Sequence, residues 1–167
     1  CDAVVERARS LARAICDSRG LLGLKSSTSD IIISDNWKDL ISQGGLDAVH
    51  ICTPHYLHAE IAIAAMKAGL HVLTEKPMAI CTSDADDMVL VSEATGKRLG
   101  VCFQNRYNAT SARMKQLVEA GTIGAVLGCR AFVTWKRDAS YYEADKWRGT
   151  WKEEGGGLID RKSTRLN

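Results

Sequence analysis

A lysine directly after a short strand-like run is the residue with the clearest chemical potential in this sequence. Lys76 lies between Glu75 and Pro77, immediately beyond residues 70–74. The proline restricts the backbone of the lysine, so the side chain starts from a defined position. A free lysine keeps its proton up to about pH 10.4, so a lysine that acts as a base needs partial desolvation or a cationic neighbour. The residues alone also allow a surface Glu–Lys pair at a turn.

Polar and ionisable residues follow three strand-like runs, as Thr53-Pro54-His55, Glu75-Lys76-Pro77 and Gln104-Asn105-Arg106. In an open parallel sheet the carboxyl ends of the strands meet at one edge, and ligands bind there. We therefore expect these three segments to lie close together. His55 and His58 could both face a ligand, although helix-capping or solvated histidines fit the same pattern.

Two further segments contain residue types that suit ligand binding. If Cys1 ends a strand, Asp2 occupies the place where an acidic residue binds the adenosine ribose of a dinucleotide. Trp147 and Arg148 suit stacking or anion recognition, and the three glycines at 155–157 allow close backbone approach. A lone aspartate and a packed surface loop are the plainer alternatives. The sequence has no G-x-G-x-x-G motif, which by itself argues against a complete dinucleotide site.

The elements that would position these residues alternate along the chain. Periodicity and turn residues predict helices over residues 2–16, 37–42, 56–67 and 82–95, and strands over residues 47–53, 70–74 and 99–103. Strand, helix and strand with short links are typical of right-handed βαβ units, so we predict an α/β fold with a partial Rossmann-type parallel sheet over residues 1–104.

The pattern changes after Phe103. One more helix is predicted around residues 114–121, and apolar and polar residues then alternate over 127–135. Such alternation is typical of a strand with one buried and one exposed face. We predict that residues 105–159 begin an α+β domain with an open antiparallel sheet, and that the boundary lies near Gln104.

Composition narrows the class of protein. The six cysteines are isolated, without metal-ligand spacing, so we expect buried, reduced thiols and no metal site. Residues 160–167 resemble a translated sequencing adapter and are expected to be an artefact. Without them the chain has 19 basic and 19 acidic residues, which gives no support for nucleic-acid or membrane binding. A soluble cytoplasmic protein is the default expectation.

Three segments resemble the glucose-fructose oxidoreductase, inositol dehydrogenase and rhizopine catabolism (Gfo/Idh/MocA) family. They are DAVHICTPHYLHAEIAIAAMKAGLHVLTEKPMA (47–79), GVCFQNRY (100–107) and KWRGTWKEEGGGLID (146–160). The resemblance implies NAD or NADP as cofactor, with NAD favoured by Asp2. It implies Lys76 as the catalytic lysine, followed by a cis proline bond, and Arg106 as a substrate contact. The residues it implies at the cofactor are Asp2, Thr53, Pro54, His58, Glu75, Trp147 and Arg148.

The function implied by this resemblance is hydride transfer between NAD(P) and a secondary alcohol of a sugar or cyclitol. The parent protein is expected to be a homo-oligomer that associates through its C-terminal sheet. An NAD-dependent glycosidase and a non-catalytic sugar-binding or nucleotide-binding member are the alternatives. The family's glycine-rich loop would precede Cys1, and its acid/base histidine would fall on Thr164. We therefore expect this chain alone to be an inactive fragment.

Overall fold

The computed structural model describes residues 1–25, 27–134, 136, 138–143 and 146–155. The chain forms two compact units, one of residues 1–47 and one that begins at Ala48. The predicted boundary near Gln104 stays a prediction.

The first unit contains two helices, α1 (Val5–Leu21) and α2 (Trp37–Ser42), with a 3₁₀ turn at Thr28–Asp30 between them. Helix α1 runs five residues past the predicted end, because no strong stop signal occurs before Gly23, which adopts a φ of +71°. Helix α2 has the predicted bounds. The side chain of Asn36 accepts a hydrogen bond from the backbone N–H of Lys38 and so caps this helix.

A three-stranded parallel sheet forms the centre of the second unit. Its strands are β1 (Ala48–Ile51), β2 (His71–Glu75) and β3 (Leu99–Cys102), in the order β1-β2-β3. Ile51 pairs with Thr74, Thr74 pairs with Val101, and Glu75 pairs with Cys102. The predicted parallel sheet is confirmed, and all three strands end at the same edge.

Two helices cover one face of this sheet. Helix α3 (His58–Lys67) joins β1 to β2, helix α4 (Thr82–Thr95) joins β2 to β3, and the two helices pack against each other. Along β2, Val72 and Thr74 are buried while His71 and Leu73 are exposed. The core between sheet and helices therefore lies on one side, and it includes Ile51, Ala62, Ala65, Met66, Val72, Thr74 and Met88.

The chain beyond β3 differs from the predicted pattern. It forms a 3₁₀ turn at Gln104–Tyr107 and then helices α5 (Ala109–Glu119), α6 (Ala139–Glu143) and α7 (Trp151–Glu154). The strand predicted over 127–135 is wrong for residues 127–134, which form no strand; residue 135 lies outside the described residues. A strand needs a neighbour for its backbone hydrogen bonds, and the described residues after Cys102 form no strand to supply one.

The expectation of buried thiols is also wrong. All six cysteines are free, but Cys1, Cys52, Cys81 and Cys129 are exposed, and Cys16 and Cys102 are half-buried. Cys52 and Cys81 lie in the links just outside the elements, so the apolar runs that flank them do not enclose their side chains. Within the described part of the chain, no group of residues could hold a metal ion, and no helix is long and apolar enough to cross a membrane.

Candidate active site at the carboxyl edge of the sheet

The candidate active site lies where β1, β2 and β3 end. Thr53 follows β1 by two residues, Lys76 follows β2 directly, and the turn that contains Arg106 begins two residues after β3. Because the strands are parallel and in register, the fold brings the three predicted segments to one edge. Lys76 is half-buried, and the peptide bond between Lys76 and Pro77 is cis, as the resemblance implied.

His58 lies between the links that follow β1 and β2. Its side chain is fully buried. Nδ1 lies 2.8 Å from the carbonyl oxygen of Pro77, and Nε2 lies 2.9 Å from the carbonyl oxygen of Thr53. A neutral ring has one N–H group, so it donates to one of these carbonyl groups and lies against the other. The contact of His58 with a cofactor, which the family resemblance implies, stays a prediction.

Thr53 has a hydroxyl group that suits a ligand. Its Oγ1 is buried and has no hydrogen-bond partner among the described residues. Buried hydroxyl groups in folded proteins nearly always have a partner, and an exception needs an explanation. The position of this oxygen, two residues beyond β1, is at the edge where Rossmann-type sheets bind nucleotides. A hydroxyl or amide group of a bound nucleotide would complete the bonding of Thr53.

Glu75 lies beside two thiols. Since Glu75 pairs with Cys102 across the sheet, their side chains share the face opposite the buried Thr74. Loss of solvation raises the pKa of the Cys52 thiol, and the negative charge of Glu75 raises it further. Loss of solvation also raises the pKa of the Cys102 thiol, and the charge of Glu75 and a hydrogen bond with it add to the rise. Both thiols are therefore weak nucleophiles at neutral pH.

Replacing Glu75 with glutamine should make these thiols more reactive. A nearby carboxylate disfavours a thiolate, so its removal lowers the pKa of Cys52 and Cys102 and increases the thiolate fraction at a fixed pH. We expect alkylation by iodoacetamide at about pH 8 to accelerate by roughly two- to threefold at both cysteines. Peptide mass spectrometry measures each rate. A Glu60→Gln variant, which changes an exposed carboxylate in α3, should leave both rates unchanged; equal acceleration there would contradict the assignment.

The segment 146–155 packs against the links that follow β1 and β2. The ring of Trp147 meets the buried ring of His55 edge-on, with centroids 4.7 Å apart. The Nδ1 atom of His55 lies 3.3 Å from the carbonyl oxygen of Glu154. A Cβ atom at Gly155, where φ is +77°, would lie 3.1 Å from the Cα atom of Ile80. Trp147 therefore packs on His55 beside the link that follows β1, and its predicted contact with a cofactor stays a prediction.

Arg148 is held between two aromatic rings. Its Cζ atom lies 4.6 Å from the ring centroid of Tyr141 and 4.7 Å from that of Trp147. Its Nη1 atom also donates a hydrogen bond of 2.7 Å to the hydroxyl oxygen of Tyr141. Stacking and hydrogen bonding together give the guanidinium group a defined orientation. The predicted contact of Arg148 with a cofactor stays a prediction.

Glu154 is a site residue that sequence reasoning missed. Its side chain is 5% exposed, and it accepts a hydrogen bond from the backbone N–H of Gly149. This bond closes the turn that carries Trp147 and Arg148. In the sequence, both glutamates of the run Lys152–Glu154 look like solvated helix residues. Only the packing of the segment shows that Glu154 is the buried one.

The roles of all the predicted site residues stay predictions, including those of Arg106 and Asp2. Arg106 is exposed, with its Cζ atom 5.8 Å from the ring centroid of Phe103. Asp2 belongs to the first unit, where its Oδ1 atom accepts a hydrogen bond of 2.8 Å from the backbone N–H of Val4. Of the three predicted glycines, Gly155 is described, whereas 156 and 157 lie outside the described residues, as does the run 160–167.

Two family models match this chain, and the first covers the sheet and its links. The model of an oxidoreductase family with an NAD-binding Rossmann fold matches residues 2–103. The chain belongs to the Gfo/Idh/MocA family. A second model, that of a GFO/IDH/MocA C-terminal domain, matches residues 111–161. The resemblance stated from the motifs and the predicted Rossmann-type sheet are confirmed, and residues 2–103 match the family's NAD-binding Rossmann fold.

Known relatives are dehydrogenases and reductases. A 1,5-anhydro-D-fructose reductase of Ensifer adhaerens is 35% identical over 73% of this chain and 36% of its own. A levoglucosan dehydrogenase of Pseudarthrobacter phenanthrenivorans is 31% identical over 86% of this chain and 35% of its own. The WlbA dehydrogenase of Bordetella pertussis, solved with NADH and UDP-GlcNAcA, superposes with a TM-score of 0.69 at 38% identity, over 77% of this chain and 39% of that one. This Gfo/Idh/MocA chain spans little more than a third of the length of these two curated relatives.

Proposed function

We propose that the protein containing this chain transfers a hydride between a secondary alcohol carbon of a sugar or cyclitol and C4 of a nicotinamide, with Lys76 as its catalytic lysine. The observation that carries the proposal is the position of Lys76, directly beyond the central strand of an NAD-binding Rossmann sheet. The substrate class is supported by the names of the relatives, which act on an anhydrohexose and on levoglucosan.

Lys76 acts as the base in this reaction. As the alcohol is oxidised, the amine of Lys76 takes the hydroxyl proton, and the carbon–hydrogen electron pair leaves as a hydride, so that the alcohol becomes a ketone. Bound NAD supplies the hydride acceptor and a positive charge near the lysine. Thr53 binds the nucleotide through its hydroxyl group, and Trp147, packed on His55, shields the edge of the sheet from water.

We propose NAD rather than NADP as the cofactor. The carboxylate of Asp2 would accept hydrogen bonds from the adenosine ribose and would repel a 2′-phosphate. Arg106 would contact the substrate from the turn that follows β3. We further propose that the full-length protein forms a homo-oligomer through the sheet of its C-terminal domain.

The Thr53→Val variant tests the nucleotide site. It removes a buried hydroxyl group that has no partner in the protein, so the free energy of unfolding should stay the same or rise by up to about 1 kcal/mol. The dissociation constant for NADH should rise by about three- to tenfold, the value of one hydrogen bond. Urea unfolding and NADH fluorescence measure the two quantities. Thr53→Ser, which keeps the hydroxyl group, should bind NADH as the original chain does; equally tight binding by the valine variant would argue against the site.

Activity of the full-length protein, recovered from genomic DNA on both sides of this segment, tests the reaction itself. A panel of inositols, hexoses and anhydrosugars is incubated with NAD, and NADH formation is followed by its absorbance. We expect turnover with at least one polyol. Cleavage of glycosides without net NADH would instead indicate a glycosidase, and nucleotide binding without any turnover would indicate a non-catalytic member.

A further inference from the structure

We propose that His58 is a positioning residue, which holds the Thr53 link and the Lys76–Pro77 turn in one arrangement through a backbone carbonyl group of each. The proposal rests on the proposed function, because the arrangement matters to a reaction only if Lys76 and Thr53 serve a bound nucleotide. It assigns His58 a role other than direct contact with the cofactor.

The geometry of the ring supports this role. The two nitrogen–oxygen distances, 2.8 Å to Pro77 and 2.9 Å to Thr53, lie in the range of N–H···O hydrogen bonds. A neutral imidazole carries one N–H group, so the ring donates to one of these carbonyl groups and lies against the other. The carbonyl of Thr53 comes two residues after β1, and the carbonyl of Pro77 comes two residues after β2. The imidazole therefore bridges the links that leave two neighbouring strands. A rigid ring with nitrogens on two sides spans such a gap with little loss of side-chain entropy.

The buried position of His58 stabilises its contacts with the two links. His58 has no exposed surface, and it is the first residue of α3, a helix that packs against β2 and α4. The backbone that carries the ring is thus anchored in the core. Removing the ring would leave the part-buried carbonyl group that accepts from it without its donor, which is costly in a folded protein. The links would relieve that cost by shifting towards water, and Lys76 would move with Pro77.

The contacts of His58 extend to segment 146–155. The ring of His58 lies 5.6 Å from that of His55, and His55 in turn contacts Trp147 and the backbone of Glu154. A shift of the Thr53 link would therefore displace the platform on which Trp147 rests. Loss of His58 should loosen the whole edge of the sheet while the sheet itself stays intact.

Variants of the full-length protein that contains this chain test this inference. His58→Leu fills the space without a donor, and His58→Gln restores an N–H group that can reach a carbonyl group. His71→Gln is the matched control, because the Nδ1 atom of His71 also serves one backbone group, accepting from the N–H of Arg98 at 3.0 Å, but at the opposite end of β2. Circular dichroism monitors folding, two-dimensional NMR monitors the backbone N–H signals of Thr53 and Lys76, and NADH fluorescence measures affinity.

We expect His58→Leu to shift the signals of Thr53 and Lys76 and to weaken NADH binding by about tenfold or more. His58→Gln should recover part of both effects, and His71→Gln should produce neither. Unshifted signals in a folded His58→Leu protein would overturn the inference, and His58→Phe, which also lacks a donor, carries the same test if the leucine variant does not fold. If the full-length protein without a substitution binds no NADH but the signals still shift in the variants, the positioning role stands and the proposed function fails.

Discussion

Replacing Lys76 with alanine should lower kcat of the full-length protein by about a thousandfold or more, while NADH binding changes by less than about threefold. The amine of Lys76 is proposed to take the hydroxyl proton, and water is a poor substitute for it. The contacts proposed for the nucleotide are made instead by Thr53 and Asp2. Steady-state NADH absorbance and NADH fluorescence titration measure the two effects separately.

The control for this variant is Lys67→Ala, which removes an exposed lysine at the end of α3. It should retain full activity and full binding. If Lys76→Ala keeps its activity as well, the proton must go elsewhere, and the catalytic assignment fails. Loss of NADH binding together with activity would indicate that Lys76 holds the nucleotide rather than the proton.

Replacing Met66 with alanine should lower the free energy of unfolding by about 2–5 kcal/mol. Met66 is fully buried in α3, the helix that packs against both β2 and α4. The truncation leaves a cavity that close-packed neighbours fill only in part. Since a domain of this kind is stable by only about 5–15 kcal/mol, much of its stability would be lost.

Urea unfolding of the 167-residue chain measures this loss. Lys67→Ala, one residue further along α3 and exposed, should change the free energy of unfolding by less than about 0.5 kcal/mol. A similar small change in Met66→Ala would mean that α3 does not form the core contact seen in the structure.

The parallel sheet could be predicted because the sequence patterns of its strands and helices are local. Short apolar runs at 47–53, 70–74 and 99–103 each end at a turn or cap, and helical periodicity fills the intervals between them. Parallel strands joined by helices must all end at one edge, so the meeting of Thr53, Lys76 and Arg106 followed from the order of elements alone. The predicted bounds of α2 and α4 agree with the structure for the same reason.

The predictions that were wrong concern features that depend on partners distant in the sequence. Alternation over residues 127–134 suits a strand, but a strand exists only when another strand accepts its hydrogen bonds. Leu127 and Phe132 are 98% and 84% exposed in the structure. The prediction of buried cysteines is wrong for a similar reason. The burial of a side chain depends on the residues packed around it in the fold and not on its neighbours in the sequence.

The amino-acid sequence by itself determined the class of fold, the family, the edge of the sheet that holds the candidate site and the place of Lys76 on that edge. Only the tertiary structure decided where His58, Thr53 and Glu154 lie and what they contact. Periodicity sets which face of an element is apolar, since it acts between near neighbours. The direction of a ring, an unpaired hydroxyl group and a buried carboxylate arise from contacts between segments up to 99 residues apart, and no local pattern encodes them.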